Sequence, residues 1–370
     1  MKIETFELER TQSLWENTVD FNLTETGIHS FALEELLDES ELKKLGALRI
    51  GYGQTNGSIE LREAISALYP GTDRDNVLVT NGSIEANFVT IWSLLEPQDE
   101  LVLMLPNYMQ IWGLANAFHI KVKPFYLKEE LQWQPDLDEL KKLVTPKTKM
   151  IAMCNPNNPT GAVLSEKARE AIVQMAKEAD AWIYGDEIYR GAELSGGETP
   201  SFWNTYEKVI VAGGLSKAYA LPGLRIGWLV GPHPEIAGMW SRRDYTTIAT
   251  AILSNRIATL ALRPEMRARI LLRNRKMLKE NIAVLKAWAD SRKGLFRFIP
   301  PAAGGMVFMK YNMDINSTEL VTRLRKEKST FIVAGDCFGM DHWVRIGIGS
   351  EKEYLAAGLN RIGELLEEIR

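Results

Sequence analysis

Short apolar runs alternate with amphipathic stretches through much of the chain. "NVLVT" (Asn76 to Thr80) precedes a helical pattern from Ser83 to about Leu95, and "ELVLMLP" (Glu100 to Pro106) precedes another through about Phe118. "KMIAMC" (Lys149 to Cys154) comes next, then a helical spacing from about Ser165 to Ala179. "AWIYGD" (Ala181 to Asp186), "KVIVAG" (Lys208 to Gly213) and "RIGWLVG" (Arg225 to Gly231) complete the series. A strand with one face in water alternates apolar and polar residues, whereas runs this continuous belong to strands covered on both faces. The pattern predicts an α/β fold, a large domain whose mostly parallel central sheet carries helices on both faces.

Beyond about Ser254 the pattern changes. "MRARILLRNRKMLKENIAVLKAWADS" (Met266 to Ser291) repeats its apolar residues at helical spacing. Strand-like pieces, "GMVFMKY" and "HWVRIGIG", follow, and a helix from about Glu351 ends the chain. This predicts a smaller α+β domain, with 35–265 as the large domain and 1–34 with 266–370 as the small one. No repeat and no Gly/Ser linker interrupts it.

Composition narrows the function classes. The chain of 370 residues carries a formal net charge of −4 and no basic run, which argues against a nucleic-acid footprint. Its two cysteines, Cys154 and Cys337, fit a reducing compartment rather than a disulfide framework. The N-terminal stretch has charges throughout, so it reads as neither a signal peptide nor an anchor, and no span suits a bilayer. A cytoplasmic protein is expected. The four histidines show no metal-ligand spacing.

"GGLSKAYALPGLRIGW" (Gly213 to Trp228) raises the chemical question. Lys217 stands among small residues that would let a bulky planar group approach. An amine attacks an aldehyde only when neutral, and a dry pocket or a nearby cation favours that form. Ser216 can donate a hydroxyl, and Arg225 can offer a bidentate fork to a phosphate. Read blandly, the two are a loop lysine and a strand-end charge. "YGDEIYRG" sets Asp186 at a strand end, where parallel sheets hold ligands, with Tyr189 three residues on. "CNPNNPTG" (Cys154 to Gly161) is a stiff turn that would fix the direction of Asn158. In "VTNGSIEAN", Gly82 permits a sharp turn, and the amides of Ser83 and Ile84 open a helix that suits an anion; a plain capped helix is the bland alternative. Tyr108 follows a strand end in "LPNYMQIW". Arg345 lies in an apolar stretch, where it needs a carboxylate partner, internal or external.

In order and spacing these motifs resemble the pyridoxal-phosphate (PLP) enzymes of the aminotransferase class I/II family, the aspartate aminotransferase-like enzymes of fold type I. The resemblance runs from about Leu48 to Gly349. It implies that Lys217 carries the cofactor covalently and acts as general base, and that Arg225, Ser216 and the Gly82–Ser83–Ile84 cup hold the phosphate. It implies Asp186 facing the pyridine nitrogen, Tyr189 and Asn158 at the phenolic oxygen, and Tyr108 stacked on the ring. Arg345 would take the substrate carboxylate, with Gly27 in a loop near it. Tyr52, in "RIGYGQTNG", would reach the phosphate of a neighbouring subunit, implying a homodimer with shared sites. One departure stands out: where the family signature has its first serine, this chain has Gly214, so one hydroxyl is missing.

The implied activity is transfer of an amino group between an L-amino acid and a 2-oxo acid, with other PLP reactions on the same scaffold (C–S β-lyase, decarboxylase, oxidase) as the alternative. A NAD-dependent dehydrogenase lacks a proper glycine fingerprint. A PLP-binding regulator lacks room for a DNA-binding domain. For the substrate side chain, Glu25 or His29 would favour a polar or cationic group, and Arg242 and Arg243 a dicarboxylate.

Overall fold

The computed structural model describes residues 3–369. The apolar runs form one eight-stranded sheet: β1 (Val77–Asn81), β2 (Glu100–Leu105), β3 (Lys121–Lys128), β4 (Gln134–Pro135), β5 (Thr148–Cys154), β6 (Trp182–Asp186), β7 (Val209–Gly214) and β8 (Ile226–Val230). Their spatial order is β1-β8-β7-β6-β5-β2-β3-β4. The four pairings from β7 across to β3 are parallel. β8 runs antiparallel to both its neighbours, and the short edge strand β4 runs antiparallel to β3. The sequence pattern had not marked β3, because "KVKPFYLK" mixes lysines among its apolar residues and half of it stays open to solvent.

Each buried strand feeds two cores. Val102, Ile151, Met153, Ile183 and Val211 pack on one face of the sheet; Leu101, Met150, Ala152, Tyr184 and Ile210 pack on the other. This is the period of two expected of a pleated strand, with both faces apolar. The principal helices are α1 (Glu7–Trp15), α2 (Ser83–Leu94), α3 (Gln110–Ala117), α4 (Glu166–Ala179), α5 (His233–Arg243), α6 (Pro264–Asp290), α7 (Ser317–Lys328) and α8 (Lys352–Ile369). Helix α4 begins where the Ser165 hydroxyl accepts the amide of Ala168, and it ends at Asp180 in the left-handed conformation. The 27-residue α6 starts on Pro264, a residue suited to the first helical turn.

The C-terminal part adds an antiparallel sheet of β9 (Phe296–Arg297), β10 (Met306–Tyr311), β11 (Val333–Ala334) and β12 (Trp343–Gly347), in the order β9-β10-β12-β11. The N-terminal segment is tied to it: Phe21–Asn22 pairs in parallel with Thr330–Phe331. Beyond that pair the chain lies flat along the end of β12. A Cβ at Gly347 or Gly349 would overlap the carbonyls of Glu25 and Gly27, so only glycine admits this approach. The close packing carries Thr24, Glu25 and Thr26 to the carboxyl edge of the large sheet.

Candidate active site

Ligands of open α/β sheets bind beyond the carboxyl ends of the strands. Here β1 ends just before Gly82, β5 before the Asn155–Gly161 turn, β6 at Asp186 and β7 just before Ser216 and Lys217. Arg225 joins them for a topological reason. It precedes β8, and because β8 runs the opposite way, its beginning lies at the same edge. These residues surround a cavity of about 210 Å³.

Lys217 sits in a tight turn held by the amide of Ala220 on its carbonyl (3.2 Å) and that of Leu221 on the Leu215 carbonyl (3.0 Å). Its side chain is three-quarters buried, and Nζ lies 2.5 Å from Glu25 Oε1. That oxygen also accepts the amides of Thr26 (2.8 Å) and Gly27 (2.7 Å). Burial works against the Glu25 carboxylate, but the charge and hydrogen bond of Lys217, with the Gly27 amide, hold its pKa down to about 2.

At one end the cavity offers a cradle for an anion. Gly82 has φ +76°, and a Cβ there would sit 2.8 Å from Nη2 of Arg225. A Cβ on Gly227 would overlap the backbone of Gly82 and Ser83. Glycine at both positions lets the guanidinium reach the start of α2, where the first amides have no intrahelical partner. Ser83, Ile84, Ser216 and Arg225 all line this end. The Gly214 departure also has a steric account: a Cβ there would come within 2.8 Å of Ile188 Cδ1 and 3.1 Å of the Ile226 carbonyl.

On the cavity floor, Asp186 is buried and accepts the amide of Ile188 (3.1 Å) and the side-chain amide of Asn87 (3.4 Å). No cation among the described residues pairs with it. Burial therefore pushes its pKa up to about 6, against the pull of those two donors. Asn87 is itself fixed, accepting the Tyr184 hydroxyl and donating to Gln110 Oε1 (3.0 Å). Tyr189 shares a hydrogen with Thr26 Oγ1 at 2.7 Å. Tyr108 donates its hydroxyl to Glu9 Oε1 at 2.6 Å and packs edge-on against Phe6.

Arg345, 2% exposed, donates from Nη1 to Asn158 Oδ1 (2.9 Å) and from Nη2 to the Thr24 carbonyl (2.8 Å). Its Nε is sealed inside without a partner among the described residues. Each η-nitrogen keeps a second N–H, and an entering carboxylate would pair with the guanidinium through these.

The cavity thus gathers Lys217, Ser216, Arg225, Ser83 and Ile84 with Tyr108, Asn158, Asp186, Tyr189 and Arg345. Gly82 stands behind the cradle. Gly27 does not line the cavity; it backs onto the Ser216 carbonyl while its neighbours Glu25 and Thr26 face inward. Tyr52 lies elsewhere, 91% exposed in a surface recess with Ile50 and Leu253. Of the substrate-reading alternatives, Glu25 faces the cavity, while His29 is exposed beside Glu351. Arg243 is taken by Glu85 and the Thr55 carbonyl, and Arg242 by the carbonyl of Gly238.

The sequence reading missed Asn87, Thr26 and the whole of α1, which with its C-cap Glu16 sends Leu8, Glu9, Gln12 and Glu16 to the cavity. Helix α1 buries only Leu8 and Gln12, so its apolar stripe is too thin to mark it. Its spacing of 8, 9, 12 and 16 was the signal available.

A family model described as aminotransferase class I and II matches residues 23–362. A PLP-dependent aminotransferase from Streptococcus suis shares 34% identity over 100% of this chain and 99% of its own, at a TM-score of 0.94. The capreomycidine synthase of Streptomyces vinaceus is 28% identical over 93% of this chain and 89% of its own length. The aspartate aminotransferase of Thermotoga maritima is likewise 28% identical, over 93% and 91%.

Proposed function

Because the chain belongs to the class I and II aminotransferase family and is a pyridoxal-phosphate enzyme, we propose that it moves an amino group between an L-amino acid and a 2-oxo acid. The observation that carries this reading is the buried guanidinium of Arg345, with no carboxylate paired to it among the described residues, in the same cavity as Lys217: a carboxylate grip beside a proton carrier.

The residues present fit the cofactor. The cradle of Gly82, Ser83, Ile84, Ser216 and Arg225 would hold its phosphate. Asp186, a buried carboxylate with no cation of its own, would hold its ring nitrogen protonated, and Asn87 would keep Asp186 in place. Tyr189 and Asn158 would serve its phenolic oxygen, and Tyr108 its ring face. Bound there, pyridoxal 5′-phosphate supplies an electron-withdrawing ring that stabilises negative charge beside the substrate nitrogen. The chain's own part is positioning and proton transfer. Arg345 and Asn158 orient the substrate carboxylate. Lys217 Nζ takes the α-proton and returns it to a neighbouring carbon. Glu25 and Thr26 screen that nitrogen from water.

Measuring 2-oxo acid release in the presence and absence of a 2-oxo acid acceptor tests the proposal. Transamination predicts sustained release only with the acceptor, in ping-pong kinetics. Release that continues without one favours the second reading, another reaction at the same lysine (elimination or oxidation), and CO2 with an amine in place of a 2-oxo acid marks decarboxylation there. That reading has support from the similarity to a capreomycidine synthase.

The active unit in this proposal is a homodimer. Ile50, Tyr52 and Tyr245 are 82%, 91% and 84% exposed, and Ile50 and Tyr52 line a recess that also takes in Asn81, beside the start of α2. Exposed apolar groups gathered beside a ligand site are typical of an interface.

A further inference from the structure

The reaction proposed above leaves two carboxylates of the cavity, Glu9 and Glu16, without a task, and a third, Glu25, only as the partner of Lys217. Glu9 lies in α1 and Glu16 caps its C-terminal end with helical backbone angles, so with Gln12 their spacing of three and four residues puts them on one face. Glu25 comes from the segment lying against β12. The cationic side chains of the cavity are Lys217, Arg225 and Arg345. Arg225 belongs to the phosphate cradle and Arg345 to the substrate carboxylate, while Asp186 belongs to the cofactor ring. What remains is Glu9, Glu16 and Glu25 against Lys217 alone.

Glu25 is already matched to Lys217 at 2.5 Å, and Glu9 only accepts the Tyr108 hydroxyl. The Glu16 carboxylate has no hydrogen-bond or ionic partner among the described residues. Burial raises its pKa, and the neighbouring charges of Glu25 and Glu9 raise it further. The three acids therefore feel one another across the cavity. Independently, the buried Arg345 guanidinium lines the same cavity with no carboxylate paired to it among the described residues, which suits a carboxylate-bearing ligand. One end expects an anion, and the wall formed by α1 presents uncompensated negative charge.

Resting on the aminotransferase reading, we propose that the amino acid this site accepts carries a cationic side chain, a guanidinium or an ammonium, received by Glu9 and Glu16. A guanidinium can fork onto two carboxylates and neutralise both. A neutral side chain would displace water from Glu9 and Glu16 and give nothing back. An anionic one would meet three like charges, and Arg242 and Arg243 cannot help because both are engaged outside the cavity.

The test uses the holoenzyme and two readouts. First, γ-guanidinobutyrate, which keeps a carboxylate and a guanidinium but lacks the α-amine, is compared with hexanoate by calorimetric titration. Binding about tenfold or more tighter for the guanidino acid is expected, shrinking towards parity in Glu16→Gln and Glu9→Gln. Second, L-arginine, L-lysine, L-leucine and L-glutamate are compared as amino donors by kcat/KM. The basic pair should lead leucine by about tenfold or more, with glutamate last. Equal binding of the two acids by the unsubstituted enzyme overturns the inference, whatever the variants do. Selective, Glu16-dependent binding without transamination of any donor would uphold the cationic pocket and sink the reaction assigned above. Efficient transamination led by leucine or glutamate would do the reverse.

Discussion

Glu25 Oε1 stands 2.5 Å from Lys217 Nζ and closes a span of 192 residues. The N-terminal segment reaches this place only because glycines 347 and 349 let it lie flat along β12. The pair joins the N-terminal segment to the lysine on which the proposed chemistry rests. It also makes the acid stability of the protein depend on Lys217. The Glu25 pKa falls on folding from 4.5 to about 2, so its contribution is complete above the unfolded value and is lost as pH falls through about 2. Half of the Glu25 side chain is open to the cavity, and screening limits the effect to about 1 kcal/mol.

Cofactor-free Lys217→Ala should therefore melt lower than the unsubstituted apoprotein at pH 5 to 7, and the difference should vanish towards pH 2, as read by calorimetric melting of both apoproteins across that range. In parallel, borohydride should fix the cofactor to the peptide that contains residue 217 in the unsubstituted enzyme and to no peptide in the variant. Turnover should fall by about 10²–10⁴, the usual worth of a positioned general base, or more.

Asp186 predicts opposite signs for stability and activity. Its pKa rises on folding from 3.8 to about 6, so the empty native state keeps a proton that the unfolded chain has lost. Stability then declines as pH rises from 3.8 to 6, by roughly 3 kcal/mol in all. Asp186→Asn removes that penalty. The cofactor-free variant should melt higher than the unsubstituted apoprotein above pH 6 and level with it near pH 3.5. The loaded variant should turn over about 10²–10³ more slowly, as when a preorganised electrostatic partner is lost.

The large sheet was legible in the sequence because strands buried on both faces, such as Leu101 to Leu105, carry no polar residue to confuse the pattern. The lysine, its flanking serine and Arg225 were legible because their chemistry is local to one turn. That Arg225 shares an edge with Asp186 was not, since it depends on the reversed direction of β8. Asn87 was hidden for a similar reason: it meets Asp186 across 99 residues, and a lone asparagine on an apolar helix has no sequence signal of its own. Helix α1 was missed because it turns glutamates and a glutamine towards the protein, the opposite of what an amphipathic helix advertises.

Gly214 was legible as a departure but not as a consequence. Read as a lost phosphate contact, it suggests that Gly214→Ser would tighten cofactor binding. The packing gives another answer. Gly214 faces Gly227 across β7 and β8, with Ile188 against it, and the new Cβ would overlap the Ile188 methyl at 2.8 Å and press on the Ile226 carbonyl at 3.1 Å. Overpacking of this kind typically costs about 1–3 kcal/mol. Gly214→Ser should melt lower than the unsubstituted protein, and equilibrium dialysis should find cofactor affinity no better.

Tyr52 gives the sharpest check on the shared active site. Its ring is 91% exposed and outside its own chain's cavity, so within one subunit it has nothing to do there. If a partner's Tyr52 completes the phosphate cradle, Tyr52→Phe should weaken cofactor binding by about tenfold, the worth of one hydrogen bond to a charged group, without moving the melting point of the apoprotein. The decisive measurement is a mixture. At a cofactor concentration well below the weakened Kd, Tyr52→Phe and Lys217→Ala subunits each spoil a site, but a mixed dimer has one site in which both lesions meet and one in which neither occurs. Co-refolding the two variants should therefore restore about a quarter of the specific activity, since random pairing makes half of the dimers mixed and half of the sites in each mixed dimer intact. Activity that stays at the level of the separate variants would place Tyr52 outside the active site altogether.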